Sequence, residues 1–229
     1  MPLIPVVSVV GKSNVGKTTF LEKLIPELVR RGYRVGTIKH DVHGFELDTP
    51  GKDTWRHARA GSRAVAISGP NKVAVLLGVE REATLNEVVG LVEGEVDVVL
   101  TEGYKREGKL KIEVCRTERG AELLCSAEEL FCLVTDVDHS LPVPRFGLDD
   151  AAGVADLIEE KLLHASDAPR ASLTVDGRSV EIRGFVADIL EAVVRGIVTR
   201  LRGCEDAGEI VVRLRSSRSS STSGKPTPN

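Results

Sequence analysis

Apolar and polar residues alternate along the chain in blocks that predict strands and helices in turn. A β-branched apolar run over 3–10 predicts a strand buried on both faces. Apolar residues at helical spacing follow it and stop near Gly32, which predicts the first helix. The same alternation continues to residue 163. Further strands are predicted over 34–39, 63–68, 72–77, 96–101, 110–115 and 130–135, and further helices over 53–60, 84–93 and 149–163.

This order of elements predicts an α/β fold, a P-loop NTPase with a mostly parallel sheet flanked by helices. We expect a nucleotide-binding domain over 1–163 and a linker over 164–171. Residues 172–215 are predicted to form a small ββαβ module, because a hairpin pattern, a helix with a broad apolar face and a last apolar run follow one another. The Ser-, Arg-, Thr- and Pro-rich stretch 216–229 is expected to be a disordered tail.

Residues 11–18 carry the motif that suggests a ligand. They read GKSNVGKT and match G-x-x-x-x-G-K-[ST], the phosphate-binding P-loop. Its glycines let backbone N–H groups point inward at an anion, Lys17 is placed to reach the β- and γ-phosphates, and Thr18 offers a hydroxyl to Mg²⁺. The predicted strand before the motif and the helix after it give the required context. The predicted nucleotide-binding residues of the loop are Gly11, Lys12, Ser13, Asn14, Val15, Gly16, Lys17, Thr18 and Thr19.

A P-loop enzyme also needs a carboxylate that organises Mg²⁺, and three acids are candidates. Glu102 ends a predicted strand at the edge where open α/β sheets bind ligands. Asp41 follows the second strand, and Asp48 opens a D-x-x-G sequence of the kind that GTPases use as a switch. We take Lys17, Asp41 and Glu102 as candidate catalytic residues and Thr18, Asp41 and Glu102 as candidate metal ligands. The choice among the three acids stays open.

The other candidate ligand-binding motifs near the P-loop are less specific. His40, Asp41 and His43 are too loosely spaced for a transition-metal site, and Asn71-Lys72 lacks the acid that a guanine-binding N-K-x-D motif needs. Asp136, after the strand over 130–135, is the better candidate for reading guanine. A basic cluster in the same region suggests an anionic ligand or partner. The cluster consists of Lys39, Lys52, Arg56 and Arg59.

Composition excludes several classes of function. The formal net charge of −3 argues against a dedicated nucleic-acid binder, and no apolar run is long enough to span a membrane. The first apolar run leads straight into the P-loop, so we expect no signal peptide and a cytoplasmic location. The four cysteines show no C-x-x-C spacing, which is typical of structural thiols in a reducing compartment rather than of a zinc site.

Five segments together resemble the molybdopterin-guanine dinucleotide biosynthesis protein B (MobB) family. They are the P-loop through Thr19, GTIKHD over 36–41, DTPGKDTWR over 48–56, AISGPN over 66–71 and TEGYK over 101–105. The resemblance covers about residues 4–163. The P-loop occurs in many families, whereas the combination of the other segments is much more specific. The ββαβ extension lies outside the family's minimal core.

The resemblance implies a GTP-binding accessory protein that assists the nucleotidyltransferase joining GMP to molybdopterin. It implies Mg²⁺ and GTP as ligands, a guanylyltransferase partner, contact with molybdopterin and a homodimer. It places Asp41 and Glu102 at Mg²⁺ and the γ-phosphate. Lys52 stands where many fast GTPases have a water-orienting Gln, and Lys has no acceptor for that purpose, so at most slow hydrolysis is expected.

Two other functions remain open from the sequence. An ATP-dependent small-molecule kinase or synthetase on the same fold would share the P-loop and Glu102, but would prefer ATP and turn over quickly with an acceptor. A purely nucleotide-gated adapter would bind the triphosphate and perform no useful chemistry. Nucleotide preference and turnover separate these alternatives.

Overall fold

The structure is a computed structural model. It describes residues 4–164, 171, 173–175, 178–180, 182, 184–204 and 210–212. The chain divides into two compact units, Met1–Ile182 and Arg183–Asn229. The strands are β1 (Val6–Val10), β2 (Val35–Lys39), β3 (Ala64–Ser68), β4 (Val73–Leu77), β5 (Val98–Glu102), β6 (Leu110–Cys115), β7 (Leu130–Thr135), β8 (Arg145–Phe146), β9 (Leu173–Val175) and β10 (Arg178–Val180). The helices are α1 (Lys17–Arg30), α2 (Asp53–Arg59), α3 (Leu85–Val89), α4 (Ala151–Ile158) and α5 (Gly184–Val198).

Six strands form one sheet in the order β2-β5-β1-β6-β7-β8, and every neighbouring pair is parallel. All five residues of β1 are buried, as expected for a strand covered on both faces. The predicted mostly parallel sheet flanked by helices is therefore confirmed. The two-residue strand β8 was not predicted, because a pair of residues carries no periodic signal.

Two apolar cores cover the two faces of the sheet. In the larger core, Phe20, Leu24 and Leu28 of α1 are packed with α4 and the central strands. In the smaller one, Leu85 and Val89 of α3 pack with residues of β1, β2 and β5. Because both faces are covered in this way, a ligand can reach the sheet at the carboxyl ends of its strands.

A charged network joins α1 to α4. Arg31 follows α1, and its guanidinium lies 2.9 Å from Glu27, 2.6 Å from Asp156 and 2.8 Å from Glu159. Hydrogen bonds from Arg30 and Arg31 lower the pKa of Glu27 to about 2. The α4 helix continues into a π-helical turn, Glu159–Leu163, so the helix predicted over 149–163 is present with a changed last turn.

The strands β3 and β4 form a separate antiparallel hairpin, linked through the turn at 69–72. In the part of the chain that the structure describes, no third strand pairs with either of them. Both strands were predicted, yet most of their apolar side chains are exposed. The exposed fractions include 58% for Ile67, 65% for Val73, 57% for Val75 and 48% for Leu77.

The C-terminal elements were predicted to form one ββαβ module. The hairpin β9–β10 and helix α5 are present, and the hairpin falls in the first compact unit while α5 falls in the second. Residues 210–212 are not in a strand, so that part of the strand predicted over 209–214 is wrong, and the rest lies outside the described residues. The module boundary stays a prediction, as does the tail over 216–229, which also lies outside them. No described helix combines the length and apolar character needed to cross a membrane.

Candidate nucleotide-binding site

The P-loop connects β1 to α1, and its two glycines are required by geometry. Gly11 has φ of +145°, and a Cβ built on it would lie 2.4 Å from the carbonyl oxygen of Val114 in β6. Gly16 caps α1 with φ of +102°. Any other residue would clash at Gly11 and be strained at both positions. The loop can therefore stay tight against the sheet with its backbone donors at the N-terminus of α1, which is a ready anion site.

Lys17 lies along the loop rather than in open solvent. Its ammonium donates to the carbonyl oxygen of Lys12 at 2.9 Å and to that of Gly11 at 3.4 Å. Burial lowers the pKa of Lys17 below its ordinary value, Glu102 opposes this shift, and Lys105 and Lys39 add to it. A partly desolvated ammonium beside the loop is well placed to exchange carbonyl contacts for phosphate oxygens.

Thr18, in the first turn of α1, contacts Glu102 at the carboxyl end of β5. The Thr18 hydroxyl donates to Glu102 Oε2 at 2.9 Å. Glu102 ends β5 and is paired in register with Val9 of β1 and Lys39 of β2, which fixes its place beside the P-loop. A hydroxyl and a carboxylate that converge next to a phosphate cradle are oxygen donors of the type that Mg²⁺ takes. The predicted pair of Thr18 and Glu102 is thus brought together.

The other two acids make their contacts elsewhere. Asp41 accepts a hydrogen bond from the backbone N–H of His43 at 2.9 Å. Asp48 Oδ1 accepts from the Thr49 N–H at 2.8 Å and from the Thr54 hydroxyl at 3.0 Å. Within the described ranges, no group of three or more His, Cys, Asp or Glu side chains is arranged to hold a metal ion. Of the three candidate acids, Glu102 is the one that contacts the P-loop.

A stacked pair beside Glu102 was not anticipated from the sequence. The rings of His40 and Tyr104 lie 4.5 Å apart at an interplanar angle of 23°. The backbone N–H of His40 donates to the backbone carbonyl oxygen of Glu102 at 3.0 Å. His40 Nε2 is 2.5 Å from Glu82 Oε1. The two rings follow β2 and β5, which are neighbours, so only the strand order reveals that they meet.

Asp136 lies on the other side of the P-loop, after β7. Its Oδ1 accepts from the Thr117 N–H at 2.8 Å and from the Thr117 hydroxyl at 3.1 Å. These bonds, the backbone one first, hold the pKa of Asp136 below its ordinary value. An exposed carboxylate that is oriented and ionised has the properties needed to accept a pair of N–H donors from a base.

Arg116 links the P-loop to that carboxylate, and sequence reasoning missed it. A Cβ built on Gly16 would lie 3.4 Å from an Nη atom of Arg116, so the guanidinium packs against the loop backbone. Arg116 Nε is buried and makes no hydrogen bond within the described structure. The next residue, Thr117, orients Asp136. Nothing in the local sequence around Arg116 signals this contact, because it depends on β6 lying beside β1.

Comparison with known proteins agrees with this geometry. The family model "Molybdopterin guanine dinucleotide synthesis protein B" matches residues 6–136, from β1 to Asp136. A "Molybdopterin-guanine dinucleotide biosynthesis adapter protein" from Haemophilus influenzae is 34% identical over 162 residues, which cover 70% of this chain and 91% of that protein. This chain belongs to the MobB family. The Escherichia coli protein of the same description is 32% identical over 69% of this chain and 93% of its own length.

Solved MobB structures confirm the fold. The crystal structure of Bacillus subtilis MobB matches with a TM-score of 0.55 at 28% identity, over 69% of this chain and 98% of that one. The family resemblance and the P-loop-type α/β fold inferred from the sequence are therefore both confirmed. The kinase or synthetase alternative is not favoured, because the relatives described here are adapter proteins.

Proposed function

We propose that this MobB-family chain is a GTP-binding adapter in the biosynthesis of molybdopterin-guanine dinucleotide. The observation that carries the proposal is the contact between Thr18 and Glu102 beside Lys17, at the end of the P-loop. This arrangement supplies a cation, a hydroxyl and a carboxylate where the β- and γ-phosphates would lie. The names of the relatives supply the pathway, and GTP is the nucleotide whose GMP part ends in the dinucleotide product.

We assign Mg²⁺ to Thr18 and Glu102, with Asp41 as a further candidate near it. Bound there, Mg²⁺ would neutralise charge on the phosphate oxygens. Lys17 would bind the terminal phosphates, and the backbone N–H groups between Gly11 and Thr19 would hold the rest of the chain of phosphates. Lys12, Ser13, Asn14 and Val15 form the body of this cradle. Lys52 cannot orient an attacking water as an acceptor, which supports a slow GTPase rather than a fast one.

We assign guanine recognition to Asp136. Guanine presents a ring N–H and an amino group side by side, and one carboxylate can accept from both. Adenine presents a ring acceptor at the same place, which would face the carboxylate lone pairs. Arg116, packed on Gly16 and adjacent to the residue that orients Asp136, would keep the base end and the phosphate end of the site in register.

Slow GTP hydrolysis suits an adapter, because the protein then stays in its GTP-bound state for longer. The proposed partners are a guanylyltransferase that uses GTP and molybdopterin, its acceptor, in the cytoplasm. The exposed basic side chains of Lys52, Arg56 and Arg59 lie on or next to α2 and suit contact with an anionic cofactor or partner.

We also propose a homodimer formed through the β3–β4 hairpin. An isolated two-stranded sheet is marginally stable in water, and its unpaired edges invite another strand. In addition to those edges, both strands of this hairpin carry exposed apolar side chains. A second copy of the same hairpin is self-complementary in both respects, as a two-fold interface requires.

The test of nucleotide binding is a calorimetric titration of Mg–GTP into the wild-type chain and into Lys17→Ala. The substitution removes the cation that meets the terminal phosphates, and it leaves both apolar cores untouched. We expect affinity to fall by about a hundredfold or more, with unchanged thermal unfolding of the free protein. Lys23→Ala is the matched control: Lys23 lies on the same helix as Lys17, its ion pair is with Asp149 before α4, and the variant should bind GTP like the wild type. Wild-type affinity in a folded Lys17→Ala protein would refute the assignment.

A further inference from the structure

A second cleft lies away from the P-loop, between the 45–48 segment, α2 and β4. Its volume is about 370 Å³, within the range of about 300–1,000 Å³ that small-molecule sites occupy. The lining mixes polar and apolar groups, and its apolar side chains include Phe45, Leu47, Trp55 and Leu76. Three charged side chains, Glu46, Asp48 and Arg59, lie among them. A concave site that joins an aromatic wall to charged groups can both cover a flat organic ligand and fix its orientation.

Asp48 is the polar residue of this cleft with unused bonding capacity. Its Oδ1 is satisfied by Thr49 and Thr54 from within the same segment. Its Oδ2 is buried and has no hydrogen-bond partner among the described residues. A buried carboxylate oxygen without a donor is costly, so a ligand N–H group that reached this atom would relieve that cost.

Trp55 and Arg59 supply the complementary features. The Arg59 guanidinium lies 5.0 Å from the centre of the Trp55 ring, a cation–π contact made within α2. This contact holds the N–H donors of Arg59 next to the indole ring of Trp55. The cleft thus combines one unsatisfied acceptor, one group that only donates and an aromatic wall.

We propose that this cleft binds a planar heterocycle with a 2-amino-4-oxo-pyrimidine edge, the edge that pterins and guanine share. The Asp48 Oδ2 atom would accept from the ring N–H and the amino group, Arg59 would donate to the ring carbonyl, and Trp55 would stack on the ring. The proposal rests on the proposed function for its natural ligand, since molybdopterin is a pterin. The cleft would then hold the acceptor of the reaction on the same chain that binds GTP.

The experiment uses Trp55, the one tryptophan of the chain, as a local reporter. Neopterin and guanosine are titrated separately into the wild-type protein, with tryptophan emission and equilibrium dialysis as the two readouts. We expect saturable neopterin binding that changes the emission of Trp55. Guanosine binding to the same site with equal or higher affinity would support the recognised edge and identify guanine as its source. Lumazine, which has a carbonyl in place of the 2-amino group, should bind about tenfold or more weakly than neopterin.

Asp48→Asn tests the carboxylate without removing the local turn, because an amide oxygen can still accept from Thr49 and Thr54. The new amino group faces the donors of the ligand, so neopterin affinity should fall by about tenfold or more while lumazine gains relative to it. Glu128→Gln changes an exposed acid outside the cleft lining and is the matched control, with unchanged neopterin affinity expected. Lys17→Ala should lose GTP and keep neopterin.

Two results would overturn the proposal. One is the absence of saturable neopterin and guanosine binding in a wild-type protein that binds Mg–GTP normally. The other is equal affinity of the wild-type protein for neopterin and lumazine, which needs no variant to fold. Loss of GTP binding with neopterin binding intact would instead contradict the nucleotide assignment alone, so the two proposals fail separately.

Discussion

The strands β1 and β4 have similar sequences and opposite surroundings. The β1 strand reads VVSVV and is buried along its whole length between β5 and β6. The β4 strand reads VAVLL and pairs with β3 alone among the described strands, with Val75 57% exposed. Apolar β-branched runs therefore indicate strands in both places, but the neighbouring strands and covering helices decide whether the side chains of a run are buried in a core or stay exposed.

The β1 region and the β3–β4 hairpin therefore suit different roles. Around β1, pairing on both sides fixes Glu102 within hydrogen-bond distance of Thr18 and Arg116 in packing contact with Gly16, as a binding site requires. In the hairpin, no third described strand pairs with the outer edges and most apolar side chains are exposed, as the proposed association surface requires. Substitutions should therefore affect ligand binding in the first region and oligomeric state in the second.

The largest expected effect is on association. Val75→Lys places a charge in the middle of the exposed hairpin, where a second copy would bury it, and should weaken dimerisation on the order of a hundredfold or more. Analytical ultracentrifugation over a concentration series measures this. Val29→Lys, at a residue of α1 that is 54% exposed, is the matched control and should not change the oligomeric state. Dimers of unchanged affinity in Val75→Lys would remove the hairpin from the interface.

The next effect is on turnover. Glu102→Gln keeps the shape of the side chain and the acceptor for Thr18 but loses the charge that would face Mg²⁺. Magnesium-dependent GTP hydrolysis should fall by roughly tenfold or more, with a smaller loss in GTP affinity. Glu107→Gln, five residues further on, serves as the control. Unchanged hydrolysis in Glu102→Gln would transfer the metal to Asp41 or Asp48.

A smaller effect concerns the choice of base. Asp136→Asn should weaken GTP binding by about tenfold and improve xanthosine triphosphate relative to GTP, because the amide can donate to the extra carbonyl of xanthine. The hydrogen bonds from Thr117 can persist, since the amide oxygen still accepts. The comparison is made by calorimetry, with Asp138→Asn as the neighbouring control. Unaltered preference for GTP would take Asp136 out of the base site.

The smallest effect is a pH dependence of stability at α3. Hydrogen bonds from Arg81 and from the Thr84 cap lower the pKa of Glu87 from 4.5 to about 2. A lowered carboxyl pKa stabilises the fold above the ordinary pKa, and this contribution disappears as the pH falls toward 2. The difference in unfolding free energy between the wild type and Glu87→Gln should be constant above about pH 5 and shrink below it. Urea titrations of the two proteins over a pH series measure this difference.

The sequence predicts the parts of the fold and site that local order determines. The P-loop follows from one strand, eight residues and one helix, and Glu102 follows from its place at the end of a buried run. Strand order is not local, so the contacts of Arg116 with Gly16 and of His40 with Tyr104 could not be foreseen. For the same reason the sequence predicts β3 and β4 as strands but not their separation from the main sheet. The sequence indicates Asp48 as a candidate acid. Only the three-dimensional structure shows that its Oδ2 atom is buried and has no hydrogen-bond partner among the described residues.

The central claim is that the parallel-sheet region binds a guanine nucleotide. Its most direct test is a calorimetric comparison of Mg–GTP and Mg–ATP on the unaltered chain at one salt concentration. We predict one binding site per chain and an affinity for GTP about tenfold or more above that for ATP, since a site that accepts a donor pair rejects a base lacking it. Equal affinities, a preference for ATP or the absence of triphosphate binding would contradict the account.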